Sequence, residues 1–259
     1  MSRVTIVGSG NAFNSDGRAH ACYLIDSSET TNPGTKPATR ILMDVGATSL
    51  YRLQQLNIAA ASIDAILLTH FHGDHYAGLP FVLLQMDLVE GRQHPLEILG
   101  PPGVQQACET IIEACYPGFE FHFPIVYREL DARAAHITTT QCGDFQIVPY
   151  PIEHKTESTG YRLLGADGGS LAFSGDSGYD GLLAALVDGV DLALIELTMP
   201  EQYDPPIAHV ALNDVREQTN GHQLNAKRLV FTHITDALAR EIENAGPGTA
   251  AYDGLVLEF

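Results

Sequence analysis

The segment LLTHFHGDHYAGLP, residues 67–80, sets His70, His72, Asp74 and His75 within six residues, directly after an apolar run at 65–68. Imidazole nitrogen and carboxylate oxygen are donors that zinc and similar divalent ions take. The H-x-H-x-D-H spacing differs from the H-E-x-x-H helix of zinc proteases. It lets His70 and His72 serve one metal while Asp74 and His75 point to a second. Gly73 is expected to let the backbone fold tightly enough for the side chains to converge. The plain alternative is a solvated polar turn. Four such donors at the end of a strand that reads as buried weigh against it.

Such a turn needs a rigid base. Strand-like runs recur at 4–7, 21–25, 41–44, 65–69, 96–99, 145–150, 171–173, 192–197 and 229–232, each short, apolar and bounded by Gly, Pro, Asp or Ser. Helical spacing places Leu50, Leu53 and Leu56 on one face, and Val104, Ala107, Ile111 and Cys115 on another. A third helix is expected over 213–220 with Asn213 as its N-cap. Strands dominate the first part and mix with helices later, without an internal repeat. That predicts a layered α/β sandwich, with residues 1–259 forming one domain. Residues 27–40 are polar and turn-rich and read as a mobile surface loop.

Two motifs are dismissed. VGSGNAF opens like a dinucleotide fingerprint but lacks the third glycine and a following helix. Ser177 in SGDSGY and His136 in AAHIT resemble protease partners, but lie too close in sequence for a two-barrel protease.

Of 259 residues, 32 are acidic and 14 basic, for a net charge of −18. That favours solubility and opposes non-specific contact with phosphate backbones. A small anionic substrate remains compatible if metal ions supply positive charge locally. No apolar run approaches a membrane span, and the opening MSRVTIVGSG is too short and strand-like for a signal peptide, so the expected compartment is the cytoplasm. Cys22, Cys108, Cys115 and Cys142 form no CxxC and read as reduced thiols.

THFHGDH resembles the signature of the metallo-β-lactamase fold, and the resemblance extends from VGSGNAF to VFTHIT. It implies an αββα sandwich of two mixed β-sheets flanked by helices, and further ligands at strand ends. Those are His154 after FQIVPYPIE, Asp176 after SLAFSG and His233 after RLVFT. Carried over, His70, His72 and His154 would bind one ion, Asp74, His75 and His233 a second, and Asp176 would bridge them. The resemblance thus implies two divalent metal ions per chain, zinc first, with manganese or iron suited to the same donors. It also implies a shared hydroxide as nucleophile, with Asp74 orienting it or taking its proton. Alone, His154 or His233 would read as an ordinary polar residue, and Asp176 as a cap for a helix starting near Tyr179. His20, His94, His122, His136 and His222 lack such a setting and read as surface or hydrogen-bonding residues.

The fold hosts many reactions, so details must select among them. GSGNAF, HKTESTGYRL and SGDSGY resemble the RNase Z-like and phosphodiesterase branch. AHVALNDV resembles that branch's later histidine segment, which makes His209 a candidate phosphate or leaving-group ligand. Its plain alternative is a residue beside a helix, satisfied by water. RNase Z enzymes carry a His–Glu pair where this chain has Ile195 and Glu196. Glu196 then reads either as a carboxylate orienting His209 or as a strand-end group paired at the surface. No long Gly/Pro-rich arm for clamping tRNA is visible.

The leading expectation is a dinuclear metal-dependent hydrolase of a small, anionic, possibly cyclic phosphodiester, with Asp74, His209 and Glu196 as catalytic candidates. The alternatives are tRNA 3′ processing, hydrolysis of an ester, sulfate ester or lactone, and a metal-binding protein with little catalysis. Nucleic acid is a less favoured partner, no membrane is expected, and a homodimer follows only by analogy. Substrate-selecting walls are expected from 77–94, 116–129 and 198–208.

Overall fold

The computed structural model describes residues 1–28, 38–154 and 158–259. The loop reading of 27–40 therefore falls mostly outside the described residues, as does the middle of HKTESTGYRL.

Strands β1 (Arg3–Gly8), β2 (Cys22–Asp26), β3 (Arg40–Met43), β4 (Ala65–Leu67), β5 (Leu96–Gly100) and β6 (Ile125–Glu129) lie in one sheet. The C-terminal strand β14 (Val256–Glu258) closes it at the β1 edge. The second sheet has the order β13-β12-β11-β10-β9-β8-β7. Its strands are β7 (Thr140–Cys142), β8 (Phe145–Ile152), β9 (Ser158–Gly165), β10 (Ser170–Phe173), β11 (Leu192–Glu196), β12 (Leu229–Thr232) and β13 (Thr249–Ala250). Both sheets are mixed. Pairing is parallel from β3 through β6 and from β10 through β13, and antiparallel elsewhere.

Alternation along each strand builds three apolar layers. Tyr23, Ile25, Ile41 and Met43 point between the sheets, where they meet Phe173, Leu192 and Leu194. Their neighbours Cys22, Leu24 and Leu42 point the other way, onto the layer that includes Leu53, Leu79, Val82 and Cys108. Those residues belong to helices α1 (Ser49–Gln55), α3 (Leu79–Leu84) and α4 (Val104–Cys115). In the second sheet Ala193 and Ile195 turn outward onto α5 (Gly181–Val187), α6 (Leu212–Glu217) and α7 (Asp236–Ala245) through Leu183, Val215 and Leu238. A strand covered on both faces reads as continuously apolar, which is why CYLID and LALIE carry no polar alternation.

Several local expectations are corrected. The cap of α6 is Ala211, and Asn213 lies inside the helix. The helix after Asp176 is α5, capped by Asp180, whose carboxylate accepts from Leu182 N and Leu183 N at 2.9 Å, so Asp176 is free of that role. β8 continues through Pro149 and Pro151. Its pairing with β7 ends at Ile147, so the missing N–H groups interrupt no ladder on that side. β9, with Ser, Thr and Gly at its start, and the amphipathic α7 are additional elements.

Topology explains why the donors meet. β10, β11 and β12 are parallel, and β8 runs in their direction because both β8 and β10 are antiparallel to β9. The C-terminal ends of these strands therefore lie at one end of the second sheet. β3 and β4 deliver theirs from the first.

Candidate metal centre

Each donor sits just beyond a strand end. His70 follows β4, and Asp74 and His75 lie in the single turn α2 (Gly73–Tyr76), for which His72 is the N-cap residue. His154, Asp176 and His233 follow β8, β10 and β12. Gly73 is not what makes the turn possible. A Cβ there would meet only Ala77 Cβ at 3.8 Å. Gly46 and Gly78 are the close approaches, since a Cβ on Gly46 would strike the Asp74 carbonyl and one on Gly78 the Gly46 carbonyl.

The seven expected donors gather into two sets, and Asp176, Glu196 and His209 form a third group at the same spacing. One donor atom each from His70, His72, His154 and Asp176 lies within 4.8 Å of the others, and the same holds for Asp74, His75, Asp176 and His233. Asp176 is common to both. Its Oδ1 lies 3.1 Å from His75 Nε2 and 3.6 Å from His233 Nε2, while its Oδ2 lies 3.8 Å from both His70 Nε2 and His154 Nε2. Asp74 Oδ2 is 3.1 Å from His233 Nε2.

Hydrogen bonds behind the rings set which nitrogen faces inward. Asp44, fully buried at the end of β3, accepts from His75 Nδ1 at 2.7 Å. It also accepts from Thr69 Oγ1 at 2.9 Å, and that hydroxyl in turn accepts from His70 Nδ1 at 3.0 Å. Glu196 accepts from Thr198 Oγ1 at 2.7 Å, and Thr198 accepts from His233 Nδ1 at 3.0 Å. His154 Nδ1 donates to the Ala208 carbonyl at 2.9 Å. With Nδ1 occupied, each of these imidazoles presents Nε2 to the cluster. His70 Nε2, His75 Nε2 and Asp176 Oδ1 are buried there without a hydrogen-bond partner. Orphaned nitrogen and oxygen atoms converging from separate strands are costly unless something satisfies them. The nitrogen and oxygen donor set fits a divalent cation.

Electrostatics agree with that fit. Burial pushes His70 well below its ordinary pKa, and pushes His154 down. Burial would also lower His75 and His233, but Asp176, with Asp44 for His75 and Asp74 for His233, outweighs it and holds both above their ordinary value. Burial would raise Asp176 and Asp74. The histidines around them outweigh it and hold both carboxyls below the usual range. The carboxylates that would attract a cation therefore also draw protons onto His75 and His233, so acid and metal compete for the same nitrogens.

His209 lies beside the cluster, its ring centroid 4.9 Å from that of His154 and 6.1 Å from that of His233. Its Nδ1 donates to Glu196 Oε1 at 2.7 Å, and Glu196 is buried rather than paired at the surface. Burial opposes protonation of His209, but Glu196 outweighs it and raises the pKa.

A cavity of about 410 Å³ opens over His72, Asp74, Asp176, His209 and His233. Its walls come from 11–13 and from Thr198, Met199, Tyr203 and Ile207. Of the expected walls only 198–208 contributes; 77–94 and 116–129 do not line it. His20, expected as a surface or hydrogen-bonding residue, is half-buried, and its Nε2 donates to the Ala12 carbonyl at 3.2 Å, behind the 11–13 wall. Sequence reasoning missed Asp44, Thr69 and Thr198. Two site residues also hold a left-handed backbone without being glycine, Asp44 at φ 52° and His233 at φ 58°. Such strain costs roughly 1–3 kcal/mol and collects at functional sites.

Among the described residues, no helix is long and apolar enough to cross a membrane. Cys22, Cys108 and Cys115 are free thiols.

Comparison with known proteins follows the same lines. Residues 39–234 match the family described as the beta-lactamase superfamily domain. A ribonuclease Z from Staphylococcus haemolyticus is 34% identical over 122 residues, which take in 47% of this chain and 38% of that protein. The aligned stretch thus spans well under half of that relative's length. The metallo-beta-lactamase fold protein YhfI from Bacillus subtilis superposes with a TM-score of 0.76 at 21% identity, covering 100% of this chain and 99% of that one. The short form of human tRNase Z superposes with a TM-score of 0.75 at 25% identity, covering 99% and 98%. With the family match spanning most of the chain and a paired-sheet architecture common to these structures, this protein belongs to the beta-lactamase superfamily and has the metallo-β-lactamase fold in its RNase Z-like form.

Proposed function

We propose that the chain is a dinuclear metal-dependent hydrolase of small phosphodiesters, with residues 1–259 acting as one domain. The observation that carries this reading is the pair of donor sets sharing Asp176 beneath an open cavity. His70, His72 and His154 would hold one divalent ion, Asp74, His75 and His233 the other, and Asp176 both. Ions so held supply Lewis-acid polarisation of a phosphoryl oxygen and activation of water.

The chain's own groups supply the rest. Asp74 can take the proton of the attacking water at a carboxylate oxygen. His209, braced through Nδ1 by Glu196, leaves Nε2 to face substrate. There an N–H can bond a phosphoryl oxygen or give its proton to the leaving oxygen, and the buried Glu196 carboxylate stabilises the charge His209 carries before it does so. An ester or lactone hydrolase would have less use for this braced histidine. Openness of the cavity onto the donors speaks against a purely metal-storing role.

Ribonuclease Z relatives favour a second reading, cleavage of tRNA at its 3′ side. Against it, no Lys or Arg among the described residues lines the cavity. Arg3, Arg18, Arg40, Arg52, Arg128, Arg216 and Lys227 each pair with a carboxylate, and Arg92, Arg133, Arg162 and Arg228 donate to backbone carbonyls. Nucleic-acid backbones need unpaired basic charge.

Metal content followed by turnover of bis(p-nitrophenyl) phosphate tests the proposal. Two ions per chain and cleavage abolished by chelation are expected. Two ions without cleavage would redirect the search to carboxylic esters, sulfate esters and lactones. A ceiling of one ion per chain, however the protein is prepared, would end the dinuclear reading.

A further inference from the structure

The cavity has two unlike halves. Its floor is polar: His72, Asp74, Asp176, His209 and His233. Its mouth is apolar, and two large aromatic rings line it while staying mostly in solvent, Phe13 at 86% exposure and Tyr203 at 63%. A single exposed aromatic needs no explanation, but two at the lip of one ligand-bearing cavity do.

Neither ring sits on a slack tip. Asn11 Oδ1 accepts from Phe13 N at 3.1 Å and from Ser15 N at 3.3 Å. The Ala12 carbonyl accepts from His20 Nε2 at 3.2 Å, and Asn14 Nδ2 donates to the Arg18 carbonyl at 3.0 Å. On the other lip, Gln202 Nε2 donates to the His209 carbonyl at 2.6 Å and to Asp214 Oδ2 at 3.2 Å, and its Oε1 accepts from Ile207 N at 3.3 Å. These bonds fix the backbone on both sides of Phe13, whose ring is exposed. The loop carrying Tyr203 is tied directly to the residue that carries His209.

We infer that Phe13 and Tyr203 form an aromatic rim that grips a planar ring joined to the substrate's phosphate, while the phosphate lies toward His209 and the floor whose histidines and aspartates would hold the ions. This inference rests on the phosphodiesterase reading and narrows it. About 410 Å³ suits a ligand of one-nucleotide size, since small-molecule sites run about 300–1,000 Å³. Ring stacking tolerates any base or aryl group, because each has a π face. The shared chemistry is thus a ring-bearing phosphodiester, either a nucleotide or a simple aryl ester.

Binding, separate from turnover, tests the rim. The metal-loaded protein is titrated with AMP, phenyl phosphate and ribose 5-phosphate, which share a phosphate but differ in the ring. At least one ring-bearing ligand should bind about tenfold or more tighter than ribose 5-phosphate, the range that stacking of one ring supplies. Tighter AMP identifies a nucleobase, and tighter phenyl phosphate a simple aryl group. Phe13→Ala with Tyr203→Ala should remove the preference and leave ribose 5-phosphate affinity unchanged. The chain contains no tryptophan, so Phe13→Trp preserves the stacking surface and installs one fluorophore at the rim. The preferred ring ligand should quench it, and ribose 5-phosphate should not. Equal affinity for all three ligands overturns the inference, as does absence of measurable ring-ligand binding at millimolar concentration. So does a preference that survives the double alanine variant. Failure of the wild-type protein to cleave bis(p-nitrophenyl) phosphate would instead count against the phosphodiesterase reading, and leaves the binding comparison as the judge of the rim.

Discussion

Asp44 and Glu196 perform the same operation from opposite sheets, with one difference. Each is a buried carboxylate at a strand end, and each takes one imidazole Nδ1 directly at 2.7 Å, His75 for Asp44 and His209 for Glu196. Each reaches a second imidazole through a threonine hydroxyl, Thr69 to His70 and Thr198 to His233. The difference is where the imidazoles point. Both histidines on the Asp44 side belong to the two donor sets that share Asp176. On the Glu196 side His233 does, whereas His209 groups with Asp176 only together with Glu196 itself and lines the cavity, with its side chain 21% exposed. On the proposed reading, Asp44 would brace ion ligands alone, whereas Glu196 would divide its hydrogen bonds between an ion ligand and a residue facing substrate.

The largest effect should come from the residue that both sides share. Asp176→Ala should abolish turnover and drop metal content below one ion per chain by elemental analysis, with the circular dichroism of the fold intact. An unfolded variant would show that the ions are structural, and would erase the distinction between holding and handling. Next in size is His209→Ala. It should keep both ions and lose about 10²–10⁴ in turnover, the span of general acid–base contributions. An unchanged rate would make the two carboxylates equivalent after all. Asp44→Asn follows. Asparagine tolerates the left-handed φ of 52° at this position, so the change isolates the charge and acceptor. Metal affinity should fall by about 10–100-fold, the usual cost of losing a partner behind a ligand. Chelator competition would measure it, and affinity unchanged from wild type would refute the bracing role.

How much of this could be read from the residues alone depends on how local each signal is. His70, His72, Asp74 and His75 were legible because the turn carries all four within six residues. His154, Asp176 and His233 became legible only through family resemblance, since a single His or Asp at a strand end is ambiguous. Asp44 closed an apolar run in MDVG and looked like an ordinary strand boundary. Its partner His75 lies 31 residues away, a distance no spacing rule spans. Thr69 and Thr198 each have one partner close in sequence, but the link that gives them a role, to Asp44 and to His233, spans 25 and 35 residues. The glycines misled in an instructive way. Gly73 stood inside the motif and attracted the explanation, whereas the contacts that need a missing Cβ are at Gly46 and Gly78, set by how α2 lies against the loop after β3. The walls at 77–94 and 116–129 were misplaced because loop length says nothing about which edge of the sandwich a loop covers.

The threonines offer the smallest and most discriminating test. Thr69→Val and Thr198→Val each delete a hydroxyl that accepts from a histidine Nδ1 and donates to a carboxylate, so each leaves one imidazole short of a partner; Glu196 Oε2 also loses its donor, while both Asp44 oxygens keep one, from Thr69 N and His75 Nδ1. The cost of such a loss is about 1–3 kcal/mol in stability, readable as a lower Tm. Stability should therefore fall in both variants, and at least as far in Thr198→Val, where a carboxylate oxygen is left without a donor. Function should separate them. Thr69→Val leaves His209 and Glu196 untouched, so its effect should be confined to metal affinity, and saturating metal should restore the rate. Thr198→Val frees Glu196 Oε2 and loosens the carboxylate on which His209 rests. Part of its rate loss should persist at saturating metal and appear in kcat rather than in metal affinity. Full recovery of both variants on adding metal would mean that Glu196 braces His209 independently of Thr198, and that the two halves of the site meet only at Asp176.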